Sequence, residues 1–177
     1  MIVGNQISFY STLNNINTFA KGANQMETTI NLNEDTIKNV QNLISINIDS
    51  CKGFKAAADH IENDRIANYF RECSIERDRL AQELQVAIAV NGEAPEDDGS
   101  LKGAAHRWWM NIRSTVTGGD EHTVLADAER GEDEIKGLYE KTLKDTAGSP
   151  LNALLQSQYA KVKVRHDEIR DMRDDRA

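Results

Sequence analysis

The sequence is sparing with residues that break helices, cross-link chains or enter membranes. Among 177 residues there are two prolines, Pro95 and Pro150. Each falls where a helix would stop in any case, so long helices meet few interruptions. The two cysteines, Cys51 and Cys73, are too few for a disulfide framework. Both lie on apolar helical stripes, where a free cysteine acts as a small hydrophobe. Facing helix axes lie about 8–10 Å apart and a disulfide wants Cα atoms within about 7 Å, so both thiols are expected reduced and buried. No stretch reaches the roughly 20 apolar residues of a membrane span. The opening MIVGNQISFYSTLNN has neither a basic start nor an unbroken apolar run, so no secretory leader is expected. The cytoplasm is the expected compartment. Positive charge is in deficit, with a net charge of −8, which disfavours nucleic acid and anionic membranes as partners. Absent too are a P-loop, a dinucleotide fingerprint, a G-x-S-x-G elbow and a Cys-x-x-Cys pair, which weighs against an enzyme.

What is present reads as helix. Hydrophobic residues make up 39% and charged residues 28%, and the mean hydropathy is −0.60. Such a balance suits one globular domain of amphipathic helices. Four segments repeat apolar residues at helical spacing. The first opens near Glu34-Asp35 and carries Ile37, Val40, Ile44, Ile48, Cys51, Phe54 and Ala58. After a break at Asn63-Asp64, with Asp64 as the expected N-cap, the second carries Ile66, Tyr69, Phe70, Cys73, Leu80, Leu84 and Ala87, and ends at Asn91-Gly92. The third starts near Asp120 with Val124, Ala128, Ile135, Leu138, Tyr139 and Thr142. Ser149 and Pro150 read as N-cap and first residue of the fourth, which carries Leu151, Leu155, Gln158, Val162, Ile169 and Met172.

The connections set the topology. About two residues join the first pair and about five the second, so each pair is an antiparallel hairpin. Roughly thirty residues separate the pairs, enough to run the length of a bundle as in ferritin-like folds. Within that crossover Leu101, Ala105, Trp108, Ile112 and Val116 keep helical spacing; His106-Arg107 beside Trp108-Trp109 resembles a binding patch, but the reading adopted buries one tryptophan and lays the other partly over a bundle seam. Residues 1–33 form a nearly uncharged, asparagine-rich extension with Phe9, Leu13, Ile16 and Ala20 at helical spacing, expected as a short helix docked on this bundle or on a neighbouring chain. Residues 34–177 then form the bundle domain.

Particular segments resemble an uncharacterised bacterial family of ferritin-like four-helix-bundle proteins, a domain of unknown function. The resemblance rests on LISINIDSCKGFKAAADHI, FRECSIERDRLAQEL, GAAHRWW, AERGEDEIKGLYEKTL and VKVRHDEIRDMRD, in that order, and covers residues 35 to 175. It implies an all-α, ferritin-like bundle and residence inside the cell, and it implies no reaction.

Ferritin-like di-iron sites draw a Glu from each of two helices and a Glu-x-x-His from each of the other two. The residues three before His60, His106, His122 and His166 are Ala57, Gly103, Gly119 and Lys163, so no Glu-x-x-His exists. Folding each hairpin about its turn nonetheless brings Glu76, Glu132, Gln158 and His166 to mid-bundle, with Asn47 and Cys51 from the first helix and Arg77 and Arg165 at the margins; Asp49 points away. The reading adopted is a structural polar layer that fixes helix register. In the alternative, Glu76, Glu132 and His166 ligate iron, manganese or zinc in a divergent oxidase or metal-storage site. The expected function is a non-catalytic bundle acting in assembly, stress response or partner binding, without a cofactor, and homo-oligomerisation is compatible with it. Gly131 faces inward, as a close approach of a neighbouring helix requires.

Overall fold

A computed structural model of the chain describes residues 27–99 and 120–176. Among these residues there are four α-helices and no strand: α1 Glu34–Ala58, α2 Asp64–Val90, α3 Glu121–Asp145 and α4 Asn152–Asp174. The isolated Thr28–Asn31 bridge closes a turn ahead of α1. The crossover helix expected around Trp108 and Trp109, and the stripe from Phe9 to Ala20, lie outside the described residues.

Local chemistry explains the helix ends. The Asn33 side chain accepts a hydrogen bond from Thr36 N at 2.7 Å and caps α1. The cap of α2 is Asn63, not Asp64: its carboxamide oxygen accepts from Arg65 N at 3.0 Å and Ile66 N at 3.2 Å. Asp64 becomes the first helical residue, where a carboxylate complements the exposed amide dipoles. Regular α4 begins at Asn152, two residues later than Ser149-Pro150 suggested. Ser149 still does the capping, since its Oγ accepts from Leu151 N at 3.2 Å in the turn that leads into the helix.

Packing divides the interior in two. One apolar cluster takes Val40, Leu43 and Ile44 from α1, Leu80, Leu84 and Ile88 from α2, Ile135 and Tyr139 from α3, and Leu155 and Val162 from α4. The other takes Phe54 and Ala57, then Ile66, Phe70 and Cys73, then Val124, Leu125 and Ala128, and finally Ile169. The start of α1 therefore shares an end of the bundle with the finish of α2 and α3 and the start of α4. It follows that α1 and α2 are antiparallel, α3 and α4 are antiparallel, and α2 and α3 run the same way. A 27-residue helix is about 40 Å long, and the chain between Val90 and Glu121 has that distance to travel.

The first residues of this connection set out along α1. Gln41 donates to Ala94 O and accepts from Glu96 N, both at 2.8 Å. Lys52 pairs with Asp98 at 3.5 Å, and Gly99 sits against Ile48 and Asp49 so closely that an added Cβ would lie 2.6 Å from Ile48 Cγ2. Two departures appear on α1, and the close approach of Gly99 bears on the first. Asp49 is off the bundle axis as expected, yet it is buried. The innermost row is Val40, Leu43, Asn47, Ser50, Phe54 and Ala57, while Ile37, Ile48 and Cys51 flank it half-buried. Cys51 is thus less enclosed than expected. Both cysteines are free thiols.

Candidate functional site

Between the two apolar clusters lies a band of polar side chains contributed by all four helices. Its centre is an ion pair between Arg77 on α2 and Glu132 on α3, both 0% exposed. The helices that carry them are diagonal neighbours, so the pair crosses the bundle axis. Gly131 beside Glu132 is buried as well. Burial works against charge on both groups. At Arg77 the nearby Glu132, Tyr139 and Cys73 overcome it and hold the guanidinium above its ordinary value. At Glu132 burial outweighs the pull of Arg77 and His166, and the carboxyl titrates above its usual range. Arginine does not deprotonate in proteins, so the cation is fixed and Glu132 is the member able to change charge.

A second chain of hydrogen bonds continues the band toward the Leu84 half of the core. Asn47 Nδ2 donates to Leu43 O at 2.8 Å and to Tyr139 Oη at 2.9 Å. Tyr139 Oη donates to Gln158 Oε1 at 2.9 Å. Gln158 Nε2 donates to Glu83 Oε2 at 2.9 Å and Leu80 O at 3.2 Å. Asn47, Tyr139, Gln158, Leu80 and Glu83 thus tie α1 to α3, α3 to α4 and α4 to α2. Burial pushes the Tyr139 hydroxyl well above its ordinary value, which keeps it a donor.

Glu76 and His166, the other two candidate ligands, face elsewhere. Glu76 is half-buried on the α2–α4 seam, where Arg165 Nε donates to its Oε2 at 2.7 Å. Arg165 also lies 5.2 Å from the centre of the Tyr69 ring, and Tyr69 Oη donates to Glu168 Oε2 at 2.8 Å. The His166 ring is buried beside α3, with Nε2 3.0 Å from Asp133 Oδ1 and 3.1 Å from Lys136 Nζ, and Nδ1 3.1 Å from Asp167 Oδ1. The hydrogen bond to His166 is the chief cause of the lowered pKa of Asp167. At Asp133 partial burial is outweighed by Lys136 and His166, and that carboxyl is lowered too. Cys73 lies near the central pair, and burial, with Glu132 next, pushes its thiol up to about 12.

The donor set does not suit a shared cation. Glu132 is engaged by a guanidinium, Glu76 by another, and both ring nitrogens of His166 by carboxylates. Among the described residues no three His, Cys, Asp or Glu side chains gather where a metal ion could be held. A dication beside Arg77 would meet a fixed like charge in a medium of low dielectric.

Arg77 corrects the sequence reading, which put it at the margin of the layer with Arg165. Arg165 is at the margin; Arg77 is at the centre. The signal was in the spacing. Ile66, Phe70, Cys73, Leu80 and Leu84 are separated by 4, 3, 7 and 4 residues, and the seven-residue gap needs an inward residue at 77. Charge argued against placing an arginine there, and spacing prevails because Glu132 arrives from the diagonal helix.

Residues 35–145 match the model of a protein family described as "Domain of unknown function (DUF2383)". The match takes in α1, α2, the crossover and α3, and with them Glu76, Arg77 and Glu132; it stops short of α4 and His166. No curated protein matches the chain.

Proposed function

The chain belongs to the DUF2383 family, whose description carries no activity, and from that premise we propose that it is a non-catalytic bundle of the ferritin-like kind, acting inside the cell through assembly or partner binding. The observation that carries this reading is the Arg77–Glu132 pair, fully buried where a ferritin-like bundle would gather its metal ligands. A guanidinium supplies there the positive charge that a cation would otherwise bring. The surrounding chain of Asn47, Tyr139 and Gln158 supports a register role: a one-turn slip of any helix would strand several buried polar groups at once, each at a cost of about 1–3 kcal/mol.

The competing reading makes Glu76, Glu132 and His166 the ligands of iron, manganese or zinc. Elemental analysis of protein purified without chelators, with melting temperatures measured with and without each metal, separates the two. The proposal expects substoichiometric metal and unchanged melting. A rise in melting temperature with one metal, abolished in His166→Ala, overturns it.

A further inference from the structure

Exposed large apolar side chains are few among the described residues: Ile30, Ile75, Val86, Val90 and Val164. They are not scattered. Ile75, Val86 and Val90 fall within about 60° on the outer face of α2, at 100° per residue. Val164 stands across the α2–α4 seam from Ile75, where shallow grooves of about 380 and 240 Å³ meet at Glu76, Lys161 and Arg165. Ile30 belongs to the turn before α1, and that turn is fastened to the end of α2: Asn91 Nδ2 donates to Thr29 O at 2.9 Å, and Asn91 Oδ1 accepts from Leu32 N at 2.7 Å. Ile75, Val86, Val90 and Val164 lie on one side of the bundle, with the exposed Arg79 in the same sector between Ile75 and Val86, and Ile30 marks the point where the chain reaches that side.

We propose that this side is the docking site of the chain's own N-terminal segment, residues 1–26. Three observations select that occupant. The segment joins the bundle at residue 27, beside the Asn91 fastening, so it begins where the chain reaches that side. Its length suits the distance: Phe9 to Ala20 spans about 17 Å as a helix, and Val90 to Ile75 about 23 Å. Its chemistry also matches, since Lys21 is its one charged side chain and Phe9, Leu13, Ile16 and Ala20 recur at helical spacing. Docked so, the segment runs parallel to α2 and antiparallel to α4 and shields Ile75 and Val164 from water.

Hydrogen exchange read by mass spectrometry on the full chain tests this. Amides of Phe9 to Ala20 are expected to exchange about 10-fold or more slowly than in the isolated peptide. Ile75→Asp and Val86→Asp should each remove that protection, because both positions are exposed and the bundle tolerates the change. Glu134→Lys, on the exposed surface of α3, should leave it intact. Absence of protection in the unaltered chain overturns the proposal. So does protection indifferent to Ile75→Asp and Val86→Asp, and so does protection that fades on dilution, which assigns that side to a second copy. None of these outcomes depends on whether metal binds the central layer.

Discussion

A guanidinium sealed from water must keep a counter-ion, and for Arg77 that group is Glu132. Arg77 Nη2 makes the bond, while Arg77 Nε and Nη1 and Glu132 Oε1 find no further partner among the described residues. The net worth of such a pair is therefore small, while the penalty for halving it is large. Arg77→Leu and Glu132→Leu are each expected to lower stability by about 3–5 kcal/mol, the scale for stranding one buried charge. The double substitution should be less damaging than either single one, because neither charge remains to be buried. Urea denaturation of the three variants measures this, and additive losses would refute it. The same asymmetry explains what could be read beforehand. Glu132, Gln158 and Asn47 were legible as inward residues because helical spacing sets each of them on or beside an apolar stripe. Arg77 was not, because its charge argued against the inward place its spacing gave it, and its pairing with Glu132, 55 positions away, is no local pattern.

At the scale of elements, apolar periodicity located all four helices and left their ends less certain. A helix end is decided by one side chain reaching one or two amides, and adjacent residues of similar chemistry compete for that task. Asn63 and Asp64 are such neighbours. Asn63 takes it because its carboxamide serves both sides: the oxygen caps α2, and Nδ2 donates to Glu121 Oε1 at 2.8 Å, tying the first hairpin to the start of α3. A carboxylate at that position could accept but not donate. Asn63→Ala should cost about 1 kcal/mol or more, the usual value of an N-cap, while Asp64→Ala should cost only a few tenths, on the scale of a charge near a helix terminus. Thermal denaturation of the two variants checks the order, and a larger loss at Asp64 would return the cap to that residue. The burial of Asp49 was illegible for another reason. Gly99 lies against Asp49, a contact between residues fifty positions apart.

Over the whole molecule, each apolar cluster draws on every helix, so neither hairpin owns a core. The inferred course of the crossover, end to end rather than across one end, followed from its length and agrees with the helix directions. Neither hairpin should be stable alone, and unfolding should be a single cooperative event. Leu84→Ala and Phe70→Ala, in opposite clusters, should each cost about 2–5 kcal/mol. Each should shift the same transition, whether followed by circular dichroism or by exposure of the Cys73 thiol. Two separable transitions would show that the halves of the core are independent.

The parallel course of α2 and α3 also bears on the order of events in time. Each hairpin closes through a short turn and can be sampled quickly, whereas the diagonal meeting of Arg77 and Glu132 waits for the crossover to bring α3 alongside α2. The central pair is then among the last contacts to form and the first to part. Its loss falls on the rate of unfolding more than on the rate of folding. Hairpins docked a turn out of register would leave Arg77 without its carboxylate and come apart again, so the pair acts as a late checkpoint on assembly.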